Sequence, residues 1–285
     1  MPFADAMIRH MSDRIEAKII ALDLDDTLLK TDLTISDYTV GIVQKAVKRG
    51  IYVTLCSGRT DNAILPYVRR LEIAGTQGGR YIIAQNGASI IDLHERKVIY
   101  SRFVDSDVLV RAFRIANNNG FACQVYDPST IYIPFKNKWA DTDLKLSRLK
   151  EQVVPNFEEF LTEKQHAKMV ISGEPADIAR LESALRTELG DTCVLFTSKP
   201  FFLEILPKDT GKGEALLWLA ERLGIPQKNT MSFGDAMNDE SMIRLAGCSV
   251  AMKNGSEAIK KLAAYTSEFT NDEDGVARFI EKHVL

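Results

Sequence analysis

The same alternation of strands and helices occurs at both ends of this 285-residue chain and is interrupted in the middle. Residues 19–24 form a continuous apolar run ending in acidic residues, which is typical of a strand covered on both faces. A helical pattern over residues 36–48, a strand over 51–56, a helix over 61–71 and a strand over 81–84 follow it. This order predicts a parallel sheet with right-handed crossovers.

The pattern changes after Asn86-Gly87, where short segments of period two replace the earlier order. These segments predict an antiparallel α+β unit. The predicted strands are 89–92, 97–102, 121–126, 130–135, 167–172, 193–197 and 201–206, and the predicted helices are 106–118, 141–151 and 175–189.

The first pattern returns after Thr210, with helices and apolar strands in alternation up to about residue 263. The sequence therefore predicts an α/β fold with a doubly wound, Rossmann-like core of parallel strands and an inserted α+β cap domain. We expect residues 17–87 and 208–285 to form the core, residues 88–207 to form the cap, and residues 1–16 to be an N-terminal extension.

Composition excludes several classes of protein. The chain is 45% hydrophobic and 26% charged, which is ordinary for a globular protein. Its 36 basic and 39 acidic residues give a formal charge of -3, so we expect no nucleic-acid partner. The sequence has no apolar run long enough for a membrane span and no apolar signal core near its start, so we expect no membrane partner and a cytoplasmic location. The oligomeric state stays open between monomer and dimer.

The four cysteines are far apart in sequence and include no CxxC pair. Zinc sites usually bring their ligands from closely spaced positions, so this spacing disfavours a zinc site. We expect these residues to be reduced thiols that pack as small apolar side chains.

An acidic cluster, Asp23-Leu24-Asp25-Asp26-Thr27, ends the first predicted strand. Open parallel sheets bind ligands at this end of their strands. In an extended segment Asp23 and Asp25 would project to the same side, and their mutual repulsion would favour a bound cation such as Mg²⁺. An acidic cluster after a strand can also simply cap a helix or solvate a turn.

A second acidic cluster, Gly234-Asp235-Ala236-Met237-Asn238-Asp239, also follows an apolar strand and opens a helix. Taken singly, Asp235 could cap that helix and Asp239 could complement its dipole. Two acidic strand ends in one parallel sheet meet in one crevice, however, and this pairing favours a shared metal site.

Two further segments offer groups that bind anions. Ser57-Gly58-Arg59 supplies a hydroxyl, an accessible amide and a helix N-terminus, although the tripeptide could equally be an ordinary turn. Lys212 opens a helix, where a cation opposes the helix dipole and has no evident structural purpose. The next residue is Gly213, where an ATPase phosphate-binding loop would need Ser or Thr, so that class is excluded.

Together these segments resemble the haloacid dehalogenase-like hydrolase superfamily, and specifically its Cof-type phosphatases. The resemblance covers nearly the whole chain and rests on the order of several motifs. They are Asp-Leu-Asp-Asp-Thr-Leu-Leu from Asp23, Ser-Gly-Arg from Ser57, Asn-Gly-Ala from Asn86, Lys212-Gly213, Gly234-Asp235 with Asn238-Asp239, and the segment from Val250 to Asn254. One departure is Asp26, which stands where glycine is common in the family.

The resemblance implies a role for each matching residue. Asp23 would be the nucleophile, and Asp25 would protonate the leaving oxygen and then activate water. Mg²⁺ would be held by the Asp23 carboxylate, the Asp25 backbone carbonyl and Asp235, with Asp239 steadying that set. The groups that would bind the phosphoryl oxygens are the Leu24 amide, Ser57, Gly58, Lys212 and Asn238.

The function that follows is a Mg²⁺-dependent phosphatase acting on a small phosphorylated metabolite. Two alternatives stay open: a phosphomutase that uses the same chemistry, and a non-catalytic protein that binds a phosphorylated metabolite. Sugar phosphates, pyridoxal phosphate and nucleotide monophosphates all remain candidate substrates. The cap side chains that could meet a leaving group are Lys136, Lys138, Trp139, Lys199, Phe201 and Phe202.

Overall fold

The computed structural model describes residues 14–285. Most of the predicted N-terminal extension, residues 1–13, lies outside the described residues. Its last part lies beside the C-terminal helix, because the Ile15 amide donates to the His283 carbonyl at 2.7 Å.

Regular elements alternate along the whole described chain. The strands are β1 (Ile19–Leu22), β2 (Tyr52–Cys56), β3 (Tyr81–Ala84), β4 (Ser89–Asp92), β5 (Lys97–Ser101), β6 (Ala122–Tyr126), β7 (Thr130–Ile133), β8 (Lys150–Val153), β9 (Met169–Ser172), β10 (Cys193–Lys199), β11 (Phe202–Pro207), β12 (Thr230–Gly234), β13 (Cys248–Ala251) and β14 (Tyr265–Thr266). The α-helices are α1 (Asp37–Lys48), α2 (Asp61–Arg70), α3 (Ser106–Asn118), α4 (Lys138–Ser147), α5 (Phe157–Glu163), α6 (Pro175–Leu189), α7 (Lys212–Arg222), α8 (Glu240–Leu245), α9 (Glu257–Leu262) and α10 (Gly275–His283).

The first sheet combines strands from both ends of the chain in the order β14-β13-β12-β1-β2-β3-β4-β5. The six strands from β14 to β3 run parallel, and β1 lies between β12 and β2. This confirms the predicted α/β fold with a doubly wound parallel sheet.

Helices cover both faces of this sheet, and β1, which is apolar at every position, is buried on both sides. Ile20 and Leu22 pack with side chains of α1, α2 and α10 on one face. Ile19 and Ala21 pack with side chains of α7 and α8 on the other face. A strand that is buried on both faces needs the continuous apolar run seen in the sequence.

Strands β4 and β5 extend the first sheet as antiparallel strands. The chain reverses between β3 and β4 at Asn86 and Gly87, which have φ values of 54° and 93°. A Cβ at Gly87 would lie 2.0 Å from the Gly211 carbonyl oxygen, so only glycine fits there. The predicted cap boundary at residue 88 therefore does not coincide with the boundary between the two sheets, which comes after Ser101. A hairpin at a sheet edge produces the same change of sequence pattern as a new domain.

The second sheet has the order β10-β11-β9-β6-β7-β8. Its strand pairs are antiparallel except for β7 and β8, which are parallel. Helices α3, α5 and α6 pack on one face, and α4 packs on the other. This is the α+β arrangement that the sequence predicted for the middle of the chain.

Two details of the prediction for this region were wrong. The helix expected over residues 141–151 spans Lys138–Ser147, and the chain then forms the edge strand β8. The sequence of β8 is Lys-Glu-Gln-Val, which lacks an apolar alternation, and this polar pattern suits an edge position. The short helix α5 was also missed.

Across the described residues, no helix is both long enough and apolar enough to cross a lipid bilayer. The four cysteines are free, and three of them are buried, as expected.

Helix α7 packs closely against α8 through Gly213. The Gly213 amide donates to Ser241 Oγ at 2.8 Å, and a Cβ at position 213 would lie 2.3 Å from the Ser241 carbonyl oxygen. We therefore expect Gly213→Ala to lower the free energy of unfolding by about 2 kcal/mol or more, measured by urea denaturation.

The matched control is Gly41→Ala, at a glycine inside α1 with no heavy atom within 4 Å of the added Cβ. Because alanine has the higher helix propensity, this change should raise the free energy of unfolding by about 0.5–1 kcal/mol. Equal effects of the two substitutions would contradict the packing argument.

Candidate functional site

The carboxyl ends of the parallel strands form one wall of a cleft, and the second sheet and helix α4 form the other. The cleft encloses about 950 Å³, including the solvent at its mouth. Asp23 follows β1, Ser57 follows β2, and Asp235 follows β12, so three adjacent strands each deliver a polar side chain to the same place.

The chain leaves β1 through a single tight turn after Asp23, and not in the extended form that we expected through Asp25. The Leu28 amide donates to the Asp23 carbonyl at 3.3 Å, and the Leu29 amide donates to the Leu24 carbonyl at 2.9 Å. Asp26 has a φ of 59° in this turn. This left-handed conformation explains why glycine would be common at the position, and aspartate is among the residues that tolerate it.

Asn254 holds this turn in place from the far end of the chain. Its Nδ2 donates to the Asp26 carbonyl at 2.7 Å, and its Oδ1 accepts from the Asn271 amide at 3.0 Å. The segment from Val250 to Asn254 therefore contributes to the site by supporting the turn that follows Asp23.

Lys212 is fully buried and joins the two acidic clusters. Its Nζ donates to Asp23 Oδ1 at 2.5 Å and to Asp239 Oδ1 at 2.6 Å. Burial by itself would lower the pKa of Lys212, but the charges of Asp23 and Asp239 raise it above the ordinary value. The lysine is therefore charged, and its place at the start of α7 is explained by these two carboxylates.

Asp239 also supports the loop that carries Asp235. Its Oδ2 accepts from the amides of Asp235 at 2.9 Å and Ala236 at 3.2 Å. Asp235 in turn accepts from Thr27 Oγ1 at 3.0 Å through its Oδ1. Both oxygens of Asp239 are thus already hydrogen-bonded, whereas Asp235 Oδ2 has no hydrogen-bond donor within residues 14–285 and can turn to another partner.

Three carboxylates crowd together at this point. Asp23, Asp235 and Asp239 each have an oxygen within 4.8 Å of an oxygen of the others. Burial and then the charge of Asp239 raise the pKa of Asp23 well above its ordinary value. The same two causes raise the pKa of Asp235 to about 7. Like charges this close resist ionisation together.

The charges of this cluster fit a divalent cation. Three carboxylates and the Lys212 ammonium leave two negative charges uncompensated, which one divalent ion would neutralise. Oxygen ligands of this kind suit a hard cation such as Mg²⁺. The donor set is therefore a candidate divalent-metal site.

The Asp25 side chain lies outside this group of three and pairs with Arg59. Arg59 Nε donates to Asp25 Oδ2 at 2.9 Å, and one of its terminal nitrogens donates to Oδ1 at 2.6 Å. Burial alone would raise the pKa of Asp25, but the hydrogen bonds and charge of Arg59 lower it below its usual value. The two-pronged contact fixes the carboxylate at the cleft wall.

The loop after β2 contributes the predicted phosphate-binding groups. Ser57 Oγ accepts from the Arg59 amide at 3.2 Å. A Cβ at Gly58 would lie 2.9 Å from Asn86 Oδ1, so glycine allows the loops after β2 and β3 to approach each other.

Most of the predicted site residues come together. Those that line the cleft are Asp23, Asp25, Ser57, Gly58, Asp235 and Asn238. Lys212 and Asp239 are buried behind it, and the Leu24 side chain packs in the core.

Several residues that line the cleft were not predicted from the sequence. Arg59 was part of a motif, but nothing in the sequence indicates its partner. From the second sheet come Tyr126, Lys168 and Glu204, which lie in ordinary strand patterns. Of the six cap side chains named as candidates, Lys199 and Phe202 line the cleft, whereas Trp139 stacks on Phe201 with ring centroids 5.1 Å apart.

The raised pKa of Asp235 predicts a pH-dependent change in stability when metal is removed by a chelator. Asp235 holds its proton to about pH 7 in the folded protein but loses it near its ordinary value when unfolded. The folded state therefore binds more protons, so this group's contribution to stability is lost as pH rises toward 7. In chelator, we expect the free energy of unfolding of Asp235→Asn, relative to that of the unsubstituted protein, to increase from about pH 4 to about pH 7 and to level off above pH 7.

Urea denaturation at several pH values measures this difference, and Asp32→Asn, at an exposed aspartate outside the cluster, is the control. A difference between Asp235→Asn and the unsubstituted protein that does not vary with pH would contradict the raised pKa.

The sequence is similar to those of known hydrolases and phosphatases. Residues 20–280 match the family of haloacid dehalogenase-like hydrolases. A Bacillus subtilis protein named 5-amino-6-(5-phospho-D-ribitylamino)uracil phosphatase YcsE is 30% identical over 275 residues, covering 95% of this chain and 97% of its own. Phosphatase YwpJ of the same organism is 28% identical over 292 residues, covering 94% of this chain and 100% of its own.

The fold is also found among solved structures. A haloacid dehalogenase-like hydrolase from Bacteroides thetaiotaomicron superimposes with a TM-score of 0.83 at 31% identity, covering 93% of this chain and 99% of its own. The family match spans both acidic clusters, Ser57 and Lys212. The chain belongs to the haloacid dehalogenase-like hydrolases and is a phosphatase of that family.

Proposed function

We propose that this phosphatase is Mg²⁺-dependent and hydrolyses small phosphorylated metabolites through an aspartyl-phosphate intermediate on Asp23. The observation that carries the proposal is the position of the Asp23 carboxylate. It lines the cleft, is held by the buried Lys212, and stands beside two further carboxylates that suit a divalent cation.

Asp23, Asp235 and the Asp25 backbone carbonyl are the proposed ligands of Mg²⁺, with Asp239 steadying them. The two hydrogen bonds that Asp239 accepts from the amides of Asp235 and Ala236 support this division, since they fix the loop that carries Asp235. When bound, the ion would neutralise charge on the carboxylates and on the phosphoryl oxygens.

The proposed reaction has two halves. Asp23 attacks phosphorus while the bond to the ester oxygen breaks, and Asp25 gives its proton to that oxygen. Asp25 then takes a proton from a water molecule, which attacks the phosphorus of the aspartyl phosphate and releases inorganic phosphate. Lys212 orients the Asp23 carboxylate throughout, because it is the buried cation that contacts it.

The ion pair between Arg59 and Asp25 favours the second half of the reaction, in which Asp25 acts as a base. Because Arg59 lowers the pKa of Asp25, it favours the ionised form that accepts a proton from water. For the first half Asp25 must carry a proton, so binding of the ester has to weaken the Arg59 contact. The proposed phosphoryl-binding groups, namely Ser57, Gly58, the Leu24 amide, Lys212 and Asn238, provide donors for the equatorial oxygens.

The unit built on the second sheet is proposed to be the cap that covers the cleft. Relative to the predicted division at residue 88, we assign strands β4 and β5 to the core because they belong to the first sheet. The relative YcsE is named for a phosphomonoester of modest size, which supports a small phosphorylated metabolite as the substrate here.

Removal of Mg²⁺ should abolish turnover, because Asp23 would otherwise meet an anionic phosphate inside an acidic cluster. The measurement is release of inorganic phosphate from a panel of phosphate esters after dialysis against chelator, followed by addition of Mg²⁺. Inorganic phosphate is the appropriate product, since a phosphomutase would isomerise the ester without releasing it. Full activity in excess chelator would exclude the proposed mechanism.

Substitution of the two aspartates should have different consequences. Asp23→Asn should abolish activity with any ester, because the nucleophile is lost. Asp25→Asn should lower kcat/KM for alkyl phosphates by about 10²–10⁴-fold and for aryl phosphates much less, since an aryloxide leaves without protonation. The contrast is measured in kcat/KM because this ratio reports the steps up to release of the alcohol, whereas the later attack of water, with Asp25 as base, is common to both ester types. Circular dichroism is the check on folding. Equal losses on both types would rule out Asp25 as the acid for the leaving group.

A further inference from the structure

The cap side of the cleft carries polar side chains that the phosphoryl chemistry does not use. Tyr126, Asp143, Lys168 and Glu204 line this wall together with the apolar Leu149, Val170 and Phe202. They face the strand ends across the cleft, which is where the alcohol part of a bound phosphate ester would lie.

The hydrogen bonds that Asp143 accepts from the described residues all go to one of its two oxygens. Tyr126 Oη donates to Asp143 Oδ2 at 2.6 Å, and Gln124 Nε2 donates to the same oxygen at 2.7 Å. Asp143 Oδ1 accepts no hydrogen bond from the described residues. Since Asp143 lines the cleft, this oxygen is a spare acceptor fixed in place by its neighbours.

Glu204 repeats this arrangement. Lys168 Nζ donates to Glu204 Oε2 at 2.9 Å, and Asn86 Nδ2 donates to the same oxygen at 3.0 Å. Within residues 14–285, Glu204 Oε1 has no hydrogen-bond donor. Lys168 Nζ also donates to the Gly58 carbonyl at 3.0 Å, which ties this pair to the loop after β2.

A third acceptor lies beside these two. Asn86 is 2% exposed and borders the same cleft, and its Oδ1 is buried without a partner among the described residues. The unused hydrogen-bonding capacity around Asp143, Glu204 and Asn86, which lies in the turn between β3 and β4, is therefore mainly that of acceptors. A ligand that satisfies it must bring donors, as hydroxyl groups do.

The net charge of these side chains also favours a neutral ligand. Two carboxylates, Asp143 and Glu204, face one ammonium, Lys168, so the wall is not positive. The other cap lysine of the cleft, Lys199, is the last residue of β10, and β10 contacts the turn Met237–Asp239 of the core, so Lys199 lies toward the phosphoryl end. A second anionic group on the leaving alcohol would meet carboxylate oxygens that cannot donate to it.

We propose that Asp143 and Glu204 form a subsite for the leaving group that selects phosphate esters of neutral, hydroxyl-rich alcohols and rejects esters that carry a second anionic group. This inference rests on the proposed phosphatase function. It goes further by naming the residues that choose the substrate and the chemistry of the alcohol.

A pair of small esters tests the selection. Glycerol 3-phosphate and 3-phosphoglycerate both have three-carbon leaving groups. The leaving group of glycerol 3-phosphate is neutral and carries two free hydroxyls, whereas that of 3-phosphoglycerate bears a carboxylate. We expect the unsubstituted protein to favour glycerol 3-phosphate by about 10-fold or more in kcat/KM, with Mg²⁺ present at about pH 7.5. An aryl phosphate is measured in parallel to establish that the protein is a phosphatase.

Asp143→Asn tests whether Asp143 contributes to this preference. The asparagine oxygen can keep the hydrogen bonds from Tyr126 and Gln124, which places its NH₂ where the spare acceptor was. Charge is removed and an acceptor becomes a donor, so the preference for glycerol 3-phosphate should fall by about 5-fold or more. The matched control is Asp141→Asn, at an exposed position in the same helix, which should leave the preference unchanged.

Each outcome decides a separate point. A protein that hydrolyses none of the three esters contradicts the proposed function itself. Turnover of the aryl phosphate without a preference for glycerol 3-phosphate overturns the subsite alone. A folded Asp143→Asn protein with an unchanged preference removes Asp143 from the subsite. If circular dichroism shows that the Asp143→Asn variant does not fold, Glu204→Gln is measured instead. The preference for glycerol 3-phosphate should then also fall by about 5-fold or more, and an unchanged preference removes Glu204 from the subsite.

Discussion

The site is organised around the ammonium group of Lys212. A buried charge is stable only when it is paired, and Lys212 is paired with Asp23 and Asp239 from two different strand ends. This contact therefore fixes where β1 and β12 present their carboxylates. Truncating Lys212 would leave Asp23 and Asp239 as uncompensated charges in the interior, which typically costs about 3–5 kcal/mol. The chemistry of the site and the stability of the fold thus depend on the same interaction.

The sequence was informative wherever a local pattern determined a position in space. The apolar runs before Asp23, Ser57 and Asp235 predicted parallel strands, and parallel strands bring their carboxyl ends to one edge. Lys212 stood out because a cation at a helix start contradicts the helix dipole, and the structure explains it by the carboxylates it contacts. Helices α3 and α6 were predicted at their observed bounds because their apolar spacing is regular.

Contacts between residues distant in sequence were not predictable in this way. The Arg59 and Asp25 pair depends on where two loops meet, and neither residue carries a local sign of the other. The acceptors on the cap wall arise because β6, β9, β11 and α4 converge there, so Asp143 and Glu204 appear in the sequence as ordinary polar positions. The hairpin β4–β5 was predicted as part of the cap because its alternation resembles that of the second sheet, whereas β4 pairs with β3 of the first sheet.

The pairing of β1 with β12 has a consequence for how the protein is made. Strand β1 is synthesised long before β12, one of its two neighbours in the sheet, and α1 is synthesised long before α10, which packs on it. Contacts so far apart in sequence form slowly because the intervening chain must first be ordered. The second sheet lies wholly between these segments and can fold earlier during synthesis. The second sheet can thus form while β1 has only β2 beside it, and Asp23 acquires its charged neighbours only after Lys212 and β12 have been synthesised.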